Sequence, residues 1–138
     1  MRVIKDYSRD FKNSYKIMKG KTHLEQLEKN TACLFIDRTL QVLVDTMPNV
    51  SDIGQNRFAK LLFHMDNVAR INGGKIEVNF DEEKKFVQIF CACDGYYIIS
   101  KEKDLTRECF FHLCDIADSF FVINRDKRVE IDANLKME

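Results

Sequence analysis

Tryptophan is absent from this chain and proline occurs once, at Pro48. With one proline and five glycines there is little material for linkers, and 138 residues suit a single domain with its own core. No apolar run approaches the roughly 18 residues needed to span a bilayer. No run of five like charges marks a basic or acidic tail. Lys plus Arg and Asp plus Glu both total 22, so the formal net charge is zero. That removes any global electrostatic case for nucleic acid or an anionic membrane surface. The opening "MRVIKDYSRD" lacks the apolar centre of a signal peptide, and the cysteine count of five is odd. The expectation is a cytoplasmic protein with reduced thiols.

What the chain does have is regular patterning. Residues 1–21 read as an N-terminal segment in which "RVIKDY" can form an edge strand, and residues 22–138 read as one domain. Thr22, with Glu25 three positions on, has the spacing of a capping box, and an imperfect helical stripe follows. "TLQVLVDTMP" alternates Leu40, Val42 and Val44 against Thr39, Gln41, Leu43 and Asp45, which predicts a strand ended by Pro48. The clearest helix covers 51–72: Ser51 and Asp52 can cap it, and Phe58, Leu61, Leu62, Met65, Val68 and Ala69 form its core stripe. Gly73-Gly74 stops it. "KIEVNF" and "KFVQIFCAC" make a hairpin around "DEEK", with Ile76, Val78 and Phe80 on one face. A third helix near 102–118 and a closing hairpin turning at Asn124-Arg125-Asp126 complete an αβαββαββ order. The expected fold is α+β: a two-layer sandwich with helices on one face of a mixed, largely antiparallel sheet.

Few residues carry obvious chemistry. Cys91, Cys93, Cys109, His112 and Cys114 could supply zinc ligands, yet they lie in apolar stretches and lack paired Cys-x-x-Cys knuckles, so small core thiols are the plainer reading and no metal is expected. His23 opens a helix too short for a phospho-accepting hairpin, and His64 sits at the margin of a core stripe. No local arrangement supports a catalytic triad. Adjacent Phe110-Phe111 must point about 100° apart on a helix. Adjacent Phe120-Phe121 must split across a sheet. Phe111 therefore projects away from the core, and apolar surface is left for a protein partner or a second copy.

The run "LQVLVDTMPNVSDIGQNRFAKLLFHMDNVARINGGKIEVNF", with "VQIFCACDG" and "LCDIADSFFVINRDKRVEIDANL" after it, resembles the ATP-binding domain of histidine kinases, gyrase, anti-sigma-factor kinases and heat-shock chaperones, the GHKL or Bergerat fold. The resemblance spans about 22–135. Its helix segment in histidine kinases reads N-x-x-D-N-A-x-K, and an Asp-Gly box meets adenine. Asn67 stands at the second Asn, Arg70 at the following basic residue, and Asp94-Gly95 at the Asp-Gly box. Phe63 falls where the metal-supporting first Asn belongs, and a phenyl ring offers Mg²⁺ no oxygen. Tyr96 and Tyr97 fill the place of the small residues that let backbone approach the base. Only "SKEKD" replaces the Gly-rich lid, which leaves no amides to cradle phosphates.

What the resemblance implies is a GHKL-like domain without an ATP lid, a pseudo-ATPase with no catalytic residues and no cofactor. It would serve as a regulatory, protein-docking module, such as a signalling adaptor, with Phe63, Tyr96, Tyr97 and Phe111 as contacts. Two alternatives stand beside it. One is a nucleotide-binding kinase of the anti-sigma-factor type, using Asn67, Arg70, Asp94 and Gly95. The other is a homodimeric structural protein. Asn67 is either a ligand contact or a solvent-facing residue near a helix end, and Asp94 either meets adenine or simply leads into a turn.

Overall fold

The computed structural model describes residues 1–7, 21–94 and 103–137, with side chains over 1–7, 34–93 and 107–137. The elements run β1 (Arg2–Asp6), α1 (Lys21–Thr46), α2 (Asp52–Ile71), β2 (Lys75–Asp81), β3 (Phe86–Asp94), α3 (Lys103–Ile116), β4 (Ser119–Arg125) and β5 (Arg128–Lys136). The order is therefore βααββαββ.

The strand expected over 39–45 does not exist, because α1 continues through it as one 26-residue helix. Its alternation was coincidental. Phe35, Thr39 and Leu43 are buried at i, i+4 spacing, with Met47 one further turn on, while Val44 is exposed. The β-branched residues adapt to the helix: Thr39 Oγ1 donates to the Phe35 carbonyl at 2.7 Å and Thr46 Oγ1 to that of Val42 at 2.8 Å. Packing of this stripe overrides the strand preference of Val and Thr. The helix ends two residues before Pro48.

α2 follows its pattern closely. Ser51 Oγ accepts the Gly54 N–H at 3.1 Å, capping the first turn. Phe58, Leu61, Leu62, Met65, Val68 and Ala69 are fully buried. At the far end Asn72 Nδ2 donates to the Val68 carbonyl at 2.8 Å, and Gly73 takes a left-handed φ of 61°. Gly supplies that conformation without strain.

The five strands pair in the order β1-β2-β3-β5-β4, and every pairing is antiparallel rather than mixed. The N-terminal segment does supply an edge strand, β1, against β2. Ile76, Val78 and Phe80 lie in register with Cys91, Ile89 and Val87, which in turn meet Ile131, Ala133 and Leu135. All nine are buried under the helices. The opposite face carries a polar chain, in which Asn79 donates to Gln88 and Gln88 to Asp132, alongside the apolar Phe90, Phe121 and Ile123. Helices on one side of the sheet and the other side left open make a two-layer α+β sandwich. The last hairpin turns at Asp126-Lys127, slightly later than expected, with Lys127 at φ 61°. No helix among the described residues is long and apolar enough to cross a membrane.

Candidate functional site

The C-terminal ends of α2 and β3 meet at one end of the sheet, where Gly74, just past α2, packs closely against Ala92 and Cys93. A methyl at Gly74 would stand 2.5 Å from Cys93 Sγ and 2.9 Å from the Ala92 carbonyl. This approach brings the expected residues Asn67 and Arg70 to the same end as Asp94. Asn67 and Arg70 are joined directly: Arg70 Nη2 donates to Asn67 Oδ1 at 2.5 Å, one helical turn apart. The Asp94 backbone closes β3 opposite Arg128. The Asp94 side chain, Gly95, Tyr96 and Tyr97 lie outside the described residues.

The carboxylate at the centre of this region is not Asn67's partner but its neighbour. Asp66 is 1% exposed and accepts a 2.5 Å hydrogen bond from the Tyr7 hydroxyl. Burial raises its pKa to about 6, against the opposing pull of that hydrogen bond and of the Arg70 and Lys5 charges. Cys91 and Cys93 lie alongside with sulfurs 3.4 Å apart. The hydrogen bond to Cys93, burial and the nearby Asp66 push the Cys91 thiol well above its ordinary range. Burial likewise raises Cys109, partly offset by Arg70. Their raised pKa values keep the Cys91 and Cys109 thiols protonated, which suits packing and not nucleophilic chemistry. Sequence reasoning passed over Asp66 in favour of Asn67. The signal was present: Asp66 sits four residues after Leu62 and three before Ala69, on the buried stripe.

The candidate zinc ligands do not converge. Cys91, Cys93 and Cys109 are buried while Cys114 is exposed. Among the described residues no group of three or more His, Cys, Asp or Glu side chains is placed to hold a metal ion.

A second locus joins the exposed sides of α2 and α3. His64 and His112 stack with ring centroids 4.5 Å apart and planes within 9°. Phe63 meets His64 edge-on at 5.5 Å. Phe63 is 51% and Phe111 68% exposed, so both expected contact residues present their rings to solvent. Burial lowers the His64 pKa first and the His112 charge lowers it further, while Glu108 pulls it up. This face is aromatic and can dock a partner, with the imidazoles as a polar handle. The histidine pairing was invisible in sequence, because nothing local links 64 to 112.

A pocket of about 230 Å³ lies at the opposite end of α2, lined by Thr46, Met47, Pro48, Asn49, Val50, Glu82, Lys85 and Met137. It contains none of the expected site residues and is smaller than the few hundred Å³ of a typical ligand cleft. Set against known protein families the chain matches none, and no curated protein matches it.

Proposed function

We propose that this protein is a non-catalytic docking module of GHKL-like descent, a pseudo-ATPase that works in regulation by binding another protein through the α2–α3 face. The observation that carries the reading is the exposure of Phe63 and Phe111 on two packed helices, with the stacked His64–His112 pair beside Phe63. Large exposed aromatics at a helix pair are what interface anchors are made of. Phe63 also stands where the resemblance calls for a metal-supporting Asn. Asp66, the buried carboxylate of the same helix, accepts a hydrogen bond from Tyr7, a protein group. Tyr96 and Tyr97 are further proposed contacts, and the proposed setting is cytoplasmic signalling.

The competing reading is a nucleotide-binding kinase. Its support is the Asn67–Arg70 hydrogen bond at the same end of the sheet as Asp94. Titration of Mg²⁺-ATP, and separately ADP, into the purified protein by calorimetry divides the two. No heat at millimolar nucleotide is the expected result. Binding tighter than roughly 100 μM, more than about 5 kcal/mol, that vanishes in Asp94→Asn establishes the kinase reading instead.

A further inference from the structure

β4 is the last strand of the sheet. It pairs with β5 along one side, and among the described residues no strand pairs with its other side. Phe121, Val122 and Ile123 in its middle are 55%, 42% and 40% exposed. Free strand edges are templates for pairing, and proteins usually protect them with charges, proline or bulges. The opposite edge follows that practice, since β1 reads "RVIKD" with Arg2, Lys5 and Asp6 among five residues. β4 reads "SFFVINR". It has one charge, at its end, no proline, and an unbroken register against β5. Its aromatic and β-branched residues are those that favour strand pairing.

We infer that β4 pairs antiparallel with β4 of a second copy of this chain, about a two-fold axis at Val122, joining two five-stranded sheets edge to edge. The strand's own sequence selects this occupant and register. With Val122 at the centre, Phe121 faces the partner's Ile123 on the open face, twice by symmetry, an aromatic against a β-branched residue. Phe120 faces the partner's Asn124, and Arg125 faces the partner's Ser119. The strand's single charge never meets its copy. A parallel in-register pairing would set Arg125 against Arg125, and like charges directly opposite are unfavourable. The centre at Val122 also uses the full seven residues of the strand. This edge contact is small beside the roughly 1,600 Å² of a standard interface, so the dimer is expected to dissociate on dilution. The surface is separate from Phe63 and Phe111, and the inference holds or fails independently of the docking reading.

The test is the solution mass of the full chain against concentration, by sedimentation velocity across about 1 to 500 μM. The mass is expected to rise from 16.2 kDa towards twice that value. Phe121→Glu and Ile123→Lys, each at an exposed position, should each weaken association at least about tenfold. The double variant F121E/I123K places opposite charges across the two-fold axis at both positions and should restore association. In the wild-type chain, amide exchange in β4 should slow as concentration rises, a readout that depends on no substitution. A constant 16.2 kDa mass overturns the proposal and leaves the edge to an extended segment of some other protein. A dimer indifferent to both single variants, a double variant as dissociated as they are, or β4 amides indifferent to concentration overturns it as well.

Discussion

The Tyr7 hydroxyl donates a 2.5 Å hydrogen bond to Asp66 Oδ1 across 59 residues of chain. Tyr7 also gives its backbone N–H to the Gly74 carbonyl at 2.9 Å. These two bonds fasten the end of β1 to the body of α2 and to the α2–β2 junction. Tyr7→Phe removes the first and keeps the ring. Deleting one partner of a buried hydrogen bond to a carboxyl group costs about 1–3 kcal/mol, and urea unfolding of the variant should show a loss of that size. The Asp66 pKa should also climb above its value of about 6, since the tyrosine holds it down. Carboxyl NMR titration reads this directly. An unchanged titration would mean that the hydroxyl does not reach Asp66.

Burial moves the Asp66 carboxyl from 3.8 up to about 6, so the folded chain holds that proton more tightly than the unfolded one. The group's contribution is therefore full below pH 3.8, declines as pH rises, and is gone above about 6. A two-unit shift corresponds to roughly 3 kcal/mol. His64 slopes the other way: its pKa is lowered, so its contribution is present above 6.5 and lost as pH falls through the folded value. Comparing Asp66→Asn with wild type in denaturant at a series of pH values isolates the carboxyl. The variant should lose the decline between pH 4 and 6, and a wild-type-like profile would assign it elsewhere.

How far the sequence could be read depended on how local the signal was. α2, its Ser51 cap and its Gly73 stop were all visible, because cap, stripe and stop lie within about two dozen consecutive residues. The β2–β3 hairpin was visible for the same reason, with Ile76, Val78 and Phe80 correctly placed on one face. The 39–45 segment failed because Leu40, Val42 and Val44 satisfy a period of two while Phe35, Thr39 and Leu43 satisfy a helical one. Only the packing partner decides between them. The exposure of Phe63 and Phe111 was foreseeable from helix geometry. Tyr7–Asp66 and His64–His112 were not, because each couples residues dozens of positions apart and only the tertiary fold brings them together.

Gly74 is needed for space. A Cβ there would meet Cys93 Sγ at 2.5 Å, the Ala92 carbonyl at 2.9 Å and Cys91 Sγ at 3.3 Å. Gly74→Ala should therefore destabilise the fold by about 1–3 kcal/mol, the usual cost of overpacking. Adding Cys93→Ala removes the nearest atom but leaves the carbonyl, which is backbone and cannot swing aside. The double variant should recover part of the loss and not all of it, measured as a coupling energy in a double-mutant cycle. Full additivity would mean that the sulfur is not what the new methyl strikes.

The stacked imidazoles set the character of the α2–α3 face. At neutral pH the depressed pKa keeps His64 uncharged, so Phe63 and its neighbouring ring present an apolar surface. Charging His64 beside His112, 4.5 Å away, is unfavourable, so acid should open the stack and make the face cationic. Substituting His112 by Ala removes both the repelling charge and part of the cover over His64, the two causes of its depression. The His64 pKa should then rise towards 6.5, followed by the NMR shift of its ring protons. Glu108→Gln should move it the opposite way, because that carboxylate pulls the pKa up. If His64 titrates identically in all three proteins, its depression comes from burial by other groups, and the pairing exerts no control over the charge of this face.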